Sequence, residues 1–227
     1  TPAEIAYWGG YFFYHNRLHR NYQDDISLHY YLLASKDGIT IGKRYFKHEN
    51  NKEDYPFSPS GHNLYDNNSK LYYCRDFDNI VYQIHEDSVV PRFRINLPNP
   101  LPASMIEERP NEMSLLRSGY SLGITDIYEY GGLLFFRFVK DGYIWSCLYN
   151  VEESKQVYCA KRIKFLDSSL IDTIDGIYKD CFYSILTPEY LDYAFSENPL
   201  EDYPDLFKTY DVEGDNPVIA FYRAVVR

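Results

Sequence analysis

No stretch of this 227-residue sequence approaches the roughly 18 consecutive apolar residues that a membrane-crossing helix needs. Its opening, Thr1-Pro2-Ala3-Glu4, lacks the basic and apolar regions of a signal peptide. Taken alone, that opening belongs either to a chain that stays inside the cell or to one whose export signal has been removed, and the missing initial Met points to processing or a chosen boundary. A Gly-rich phosphate loop and a dinucleotide fingerprint are both missing, so no nucleotide cofactor is expected. Cys-x-x-Cys spacing is also missing, which argues against a zinc site. Positive charge is scarce: Lys plus Arg come to 23 against 33 Asp plus Glu, a net charge of −10 that repels phosphate and argues against nucleic acid as a partner.

Aromatic residues are abundant. The 25 Tyr, 14 Phe and 2 Trp make up 18% of the chain, and such side chains favour pleated, half-buried surfaces. Two Asp-Gly pairs, Asp37-Gly38 and Asp141-Gly142, each separate two apolar runs of strand length, within Tyr30 to Phe46 and Leu133 to Asn150, and each predicts a hairpin. The consecutive Leu133, Leu134, Phe135 and Phe136 imply a strand apolar on both faces, covered by neighbours on each side. Leu71 to Asn96 reads as a three-stranded meander. Further strands are expected at Ile5 to Phe13, Ile124 to Tyr130, Gln156 to Ile163, Lys179 to Ile185 and Val218 to Val225. The total is about a dozen strands in groups of three or four that begin near residues 5, 64, 122 and 177, a spacing slightly longer than a typical propeller blade.

Two stretches interrupt this pattern. Pro98 to Arg117 holds four prolines and reads as a surface connection with a short helical turn at Ala103 to Glu108. Thr187 to Asn216 begins with an N-cap Thr187 and Pro188, predicting a helix to about Phe195, with a second helix from Pro204 to about Tyr210. Nine acidic residues and a single Lys208 fall in this insertion, which therefore carries most of the net charge.

The segments DNIVYQIHEDSVVPRFRINL (Asp78 to Leu97), HYYLLASKDG (His29 to Gly38) and TPEYLDYAF…DNPVIAFYRAVVR (Thr187 to Arg227) resemble the six-bladed β-propeller proteins of Bacteroides-type bacteria. The resemblance covers nearly the whole chain and matches the later part of the family's length. It implies an all-β fold of antiparallel three- to four-stranded blades with a short helical insertion before the last strand. Residues 1–227 would form a single propeller domain or the C-terminal portion of one, with about two further blades, a signal and a lipid-attachment Cys upstream. It also implies an extracytoplasmic location, periplasmic or as an outer-membrane lipoprotein. No catalytic signature accompanies it, so no functional residue is carried over, and a β-sandwich remains the structural rival.

Candidate chemistry is sparse. Gly119-Tyr120-Ser121-Leu122-Gly123 matches the G-x-S-x-G elbow, but a strand follows where a helix should, so Ser121 reads as a Gly-flanked strand entry. Asp76-Phe77-Asp78-Asn79 has paired carboxylates but lacks the Gly and Glu of an EF-hand, leaving an Asx-stabilised turn as the reading. His15 and His19 have helical metal-pair spacing but follow a strand-like run and lack the accompanying Glu. No metal site and no catalytic residue is assigned. Cys147 and Cys159 fall opposite one another if their strands pair about Glu153; a cross-strand disulfide is conceivable there, while buried free thiols are the commoner use.

These readings favour a non-catalytic module that binds a glycan, peptide or protein, with Arg75, Asp76, Asp78, His19 and Tyr22 as candidate ligand contacts in two polar loops. Tyr side chains beside Asp, Asn and Arg suit sugar rings and hydroxyls. The alternative is a metal-assisted propeller hydrolase or lactonase. A third reading is a scaffold that docks a basic partner through Glu201, Asp202 and Asp205.

Overall fold

A computed structural model describes residues 4–16, 29–47, 61–108, 110–161, 163–165, 168–171, 174–197, 210–211, 213–214 and 216–223. Among these residues the chain forms five antiparallel sheets. The first contains β1 (Glu4–Trp8), β2 (Tyr11–His15), β3 (Tyr30–Ser35) and β4 (Ile41–Lys47). The second contains β5 (Leu64–Asp66), β6 (Leu71–Tyr73), β7 (Ile80–Ile84) and β8 (Val89–Arg94). After α1 (Ala103–Glu107) and α2 (Glu112–Leu116) comes the third, with β9 (Ser121–Tyr130), β10 (Leu133–Lys140), β11 (Tyr143–Asn150) and β12 (Lys155–Ala160). A two-stranded pair, β13 (Ile163–Phe165) and β14 (Ser168–Ile171), precedes the last sheet. That sheet comprises β15 (Gly176–Tyr178), β16 (Cys181–Leu186) and β17 (Val218–Tyr222), with α3 (Pro188–Glu197) inserted between its second and third strands. Strands follow chain order within every sheet, and short turns join most neighbours; the long connections are those between β2 and β3 and, through α3, between β16 and β17.

Turn chemistry explains most of the hairpins. Asp141 and Gly142 both have positive φ, 54° and 72°, the requirement of a two-residue type I′ turn. At the β3–β4 tip the loop is longer: Asp37 Oδ1 accepts from Ile39 N at 2.9 Å, Thr40 N at 2.7 Å and Ser35 Oγ at 2.8 Å. These donors hold the Asp37 carboxyl well below the usual carboxylate range, the Thr40 amide being the largest cause.

The chain divides into two compact units, residues 1–127 with 137–143, and residues 128–136 with 144–227. In the first, Phe13, Leu32 and Ala34 of the first sheet meet Leu64, Leu71, Tyr73, Tyr82 and Ile84 of the second. Leu115 of α2 packs with Leu122 and Val139, tying the proline-rich connection down. In the second unit, Leu133 and Phe135 pack with Ile174, Ile177 and Phe182, and Leu191 and Ala194 of α3 cover Leu186.

Several expectations are corrected. Ile5 to Phe13 is a hairpin and not a single strand, because Gly9 and Gly10 both adopt positive φ and reverse the chain. The β13–β14 pair and α2 have no counterpart in the sequence reading, whereas β15 opens the group expected near residue 177; α2 is capped by Asn111, whose side chain accepts from Ser114 N at 2.9 Å. Cys147 and Cys159 are directly opposed and disulfide-bonded, where free thiols had been favoured. Cys74 and Cys181 are the free cysteines among the described residues. The expected helix from Pro204 lies outside the described residues, whereas α3 starts as predicted, with Thr187 Oγ1 accepting from Tyr190 N at 3.3 Å.

Candidate functional site

Each of the two units carries a polar surface. In the first unit the β6–β7 turn gathers Arg75, Asp76 and Asp78. Asp78 Oδ1 accepts from Asn79 N at 2.7 Å and Ile80 N at 3.1 Å, the Asx-turn pattern, while Oδ2 takes both Nε and Nη2 of Arg75 at 3.0 and 2.6 Å. The Arg75 guanidinium lies over the Phe46 ring at 5.3 Å and the Tyr31 ring at 6.0 Å. Burial pushes the Arg75 pKa down, but the charge and hydrogen bond of Asp78 outweigh it and the net direction is up. Asp76 Oδ1 accepts from Asn63 Nδ2 at 3.2 Å, and the same amide donates to Cys74 O at 2.9 Å. Next to it, Glu4 Oε2 accepts from the backbone N–H groups of Asn63 and Leu64, and His62 Nδ1 lies 3.4 Å from Glu4 Oε1. These contacts turn the polar groups of Arg75 and Asp78 inward, onto the chain itself. His19 and Tyr22 lie outside the described residues.

The serine of G-x-S-x-G opens β9 as a strand entry. Ser121 is buried and donates through Oγ to Pro98 O at 2.5 Å. His15 sits inside β2 with Nδ1 3.2 Å from the Tyr73 hydroxyl, in the core of the first unit. Among the described residues no group of three or more His, Cys, Asp or Glu side chains converges as a metal-ligand set.

The second unit holds a cleft of about 260 Å³ lined by Tyr130, Gly131, Leu133, Asp180, Phe182, Tyr222 and Arg223. Leu133 and Phe182 are buried, and Tyr130 meets Phe182 edge to face at 6.4 Å. The two-glycine turn Gly131-Gly132, with φ of 58° and 77°, brings the β9–β10 reversal to the cleft. Opposite it stand Asp180 and Arg223, Nη2 to Oδ2 at 2.5 Å, both well exposed. Burial pushes the Tyr222 hydroxyl up to about 12, a hydrogen bond with Ser184 working the other way.

Aromatic and aliphatic walls with one carboxylate and one guanidinium at the rim can bind a ring and orient its polar substituents. A sugar hydroxyl suits this rim because it can donate to Asp180 and accept from Arg223 at once. Ligand pockets for drug-sized molecules run to roughly 300–1,000 Å³, so this one suits a single ring. Sequence reasoning missed the cleft because its residues come from positions 130–133, 180–182 and 222–223, which share no local motif.

The sequence profile of a family described as 6-bladed beta-propeller matches residues 6–169. No curated protein matches the chain. The crystal structure of a Bacteroides fragilis protein inferred to be exported is similar in fold, with a TM-score of 0.75 at 15% identity. The match covers 97% of this chain and 64% of that one, so the chain spans less than two thirds of that protein's length.

Proposed function

Because the chain belongs to the 6-bladed beta-propeller family, we propose that it serves as an exported, non-catalytic binding module whose ligand is a glycan held in the cleft of the second unit. The observation that carries this reading is the cleft's composition, two Tyr side chains and a Phe beside an exposed Asp–Arg pair. Export is supported by the structurally similar Bacteroides fragilis protein and by the Cys147–Cys159 disulfide, a bond that persists in oxidising compartments. A lipid anchor on the uncut precursor would keep the module at a membrane surface. The hydrolase alternative gains no observation in its favour.

The test is a glycan array followed by calorimetric titration of each hit, with Tyr130→Ala, Asp180→Asn and Arg223→Ala alongside. Each substitution should weaken binding by about tenfold or more while the melting temperature stays within a few degrees. Absence of any glycan hit on folded protein, or full affinity in all three variants, defeats the reading.

A further inference from the structure

Charge is unevenly shared around the cleft of the second unit. Among its lining residues the positive charge belongs to Arg223, and that charge is already engaged. Its Nη2 lies 2.5 Å from Asp180 Oδ2, and the guanidinium also hydrogen-bonds the Cys181 side chain. Two further carboxylates stand behind the lining. Glu152 Cδ lies 3.1 Å from where a β-carbon on Gly132 would be, and the charge of Asp175 acts on Tyr222, helping to push its hydroxyl pKa up. Lys179 carries its ammonium over the Tyr178 ring, 5.2 Å from the centroid, and Tyr178 contacts Phe221 on the sheet face opposite Phe182 and Tyr222. Space is limited as well. The volume of about 260 Å³ suits one ring, and the buried Leu133 and Phe182 close the cleft on its inner side. Nothing lies within 4 Å of where a β-carbon on Gly131 would be, so the two-glycine turn leaves the opening clear.

We propose that this cleft accepts one uncharged sugar ring and rejects the same ring carrying a carboxylate. The inference rests on the glycan reading above and narrows it to a chemical class. Neutral hydroxyls fit the rim without disturbing it, donating to Asp180 and accepting from the guanidinium N–H groups that Asp180 leaves over. An anionic ring brings a fourth negative charge beside Asp180, Asp175 and Glu152. It must either displace Asp180 from Arg223 or sit unpaired next to it, and such like-charge juxtaposition suppresses binding. With room for one ring, the monosaccharide sets the affinity and longer chains add little.

Calorimetric titration of the folded protein with three matched pairs of methyl glycosides tests both parts. The pairs are glucose with glucuronate, galactose with galacturonate and mannose with mannuronate, each differing only at C6. The tightest neutral member should bind at least about tenfold more tightly than its uronate at low salt. Sodium chloride should narrow that gap, since screening weakens repulsion and leaves shape unchanged. Asp180→Asn should narrow it too, by freeing Arg223 for the uronate. A disaccharide and a tetrasaccharide of the same sugar should match the monosaccharide within about threefold. Equal or tighter binding of the uronate overturns the proposal, as does a gap indifferent to salt, which assigns the selectivity to shape. Affinity that climbs with chain length, or failure of all six glycosides to bind, overturns it as well. In each case a hit on the glycan array leaves the broader reading standing, whereas a blank array removes both.

Discussion

Gly123 of β9 passes so close to Phe77 that a β-carbon on it would stand 2.7 Å from the Phe77 Cα, and Gly123 itself has φ of +99°. The strand and the β6–β7 turn meet backbone to backbone there, joined by Ile124 N donating to Asp78 O at 3.1 Å. The second glycine of G-x-S-x-G is therefore required by packing. Gly123→Ala meets both a disfavoured backbone conformation and a clash with main chain that no side-chain rotation relieves. It should lower unfolding free energy by about 2–4 kcal/mol. Urea denaturation followed by fluorescence reads this directly, and Gly10→Ala, with open space around it and positive φ alone, should cost clearly less.

Asp78 provides a second test, since one carboxylate caps two backbone amides and pairs a half-buried guanidinium. Removing it in Asp78→Ala leaves Arg75 without its counter-charge and two N–H groups without an acceptor, at a cost of about 2–4 kcal/mol. Asp78→Asn retains an acceptor for the amides and should fall between the two. If the turn is structural, both variants keep full affinity for whatever ligand the cleft variants lose. A loss of affinity at constant stability would instead mark Arg75, Asp76 and Asp78 as ligand contacts.

The disulfide joins residues 12 apart on adjacent strands, β11 and β12, next to a register shift between Leu148 and Tyr149. Closing so short a loop restricts the unfolded chain modestly, so reduction should lower stability by about 2–3 kcal/mol. The Cys147→Ala, Cys159→Ala double variant should match the reduced protein and be insensitive to dithiothreitol. Mass spectrometry without reductant should find the linked peptide pair in protein prepared under oxidising conditions.

Local chemistry was legible where a few adjacent residues decide the outcome. Asp141-Gly142 announces its turn because Asp-Gly is one of the few pairs that accept two consecutive positive φ values, and the Thr187-Pro188 start of α3 follows from capping. The position of Cys147 opposite Cys159 follows from hairpin symmetry, but whether the sulfurs are joined depends on oxidation, which strand patterning does not encode. Gly9-Gly10 escaped because apolar residues continue on both sides of it, masking a hairpin inside one aromatic run. The cleft was illegible for a different reason. Tyr130, Phe182 and Tyr222 are brought together by sheet packing across 92 residues of sequence, so each reads alone as an ordinary strand aromatic.

Tyr222 makes alkaline stability the last test. Burial raises its hydroxyl pKa from 10.0 to about 12 in the folded protein, so the folded state keeps a proton there that the unfolded chain has released. The stabilisation is complete below pH 10 and is lost as pH rises from 10 towards 12, because the unfolded form then gains by ionising. Tyr222→Phe removes the ionisable group and should flatten this part of the stability profile, with a small loss at neutral pH from the missing Ser184 hydrogen bond. Denaturant midpoints measured at intervals between pH 8 and 11 for both proteins, with tyrosinate absorbance followed in parallel, decide it. An identical alkaline decline in the variant would mean that other tyrosines carry the effect and that Tyr222 ionises in the folded protein as freely as in water.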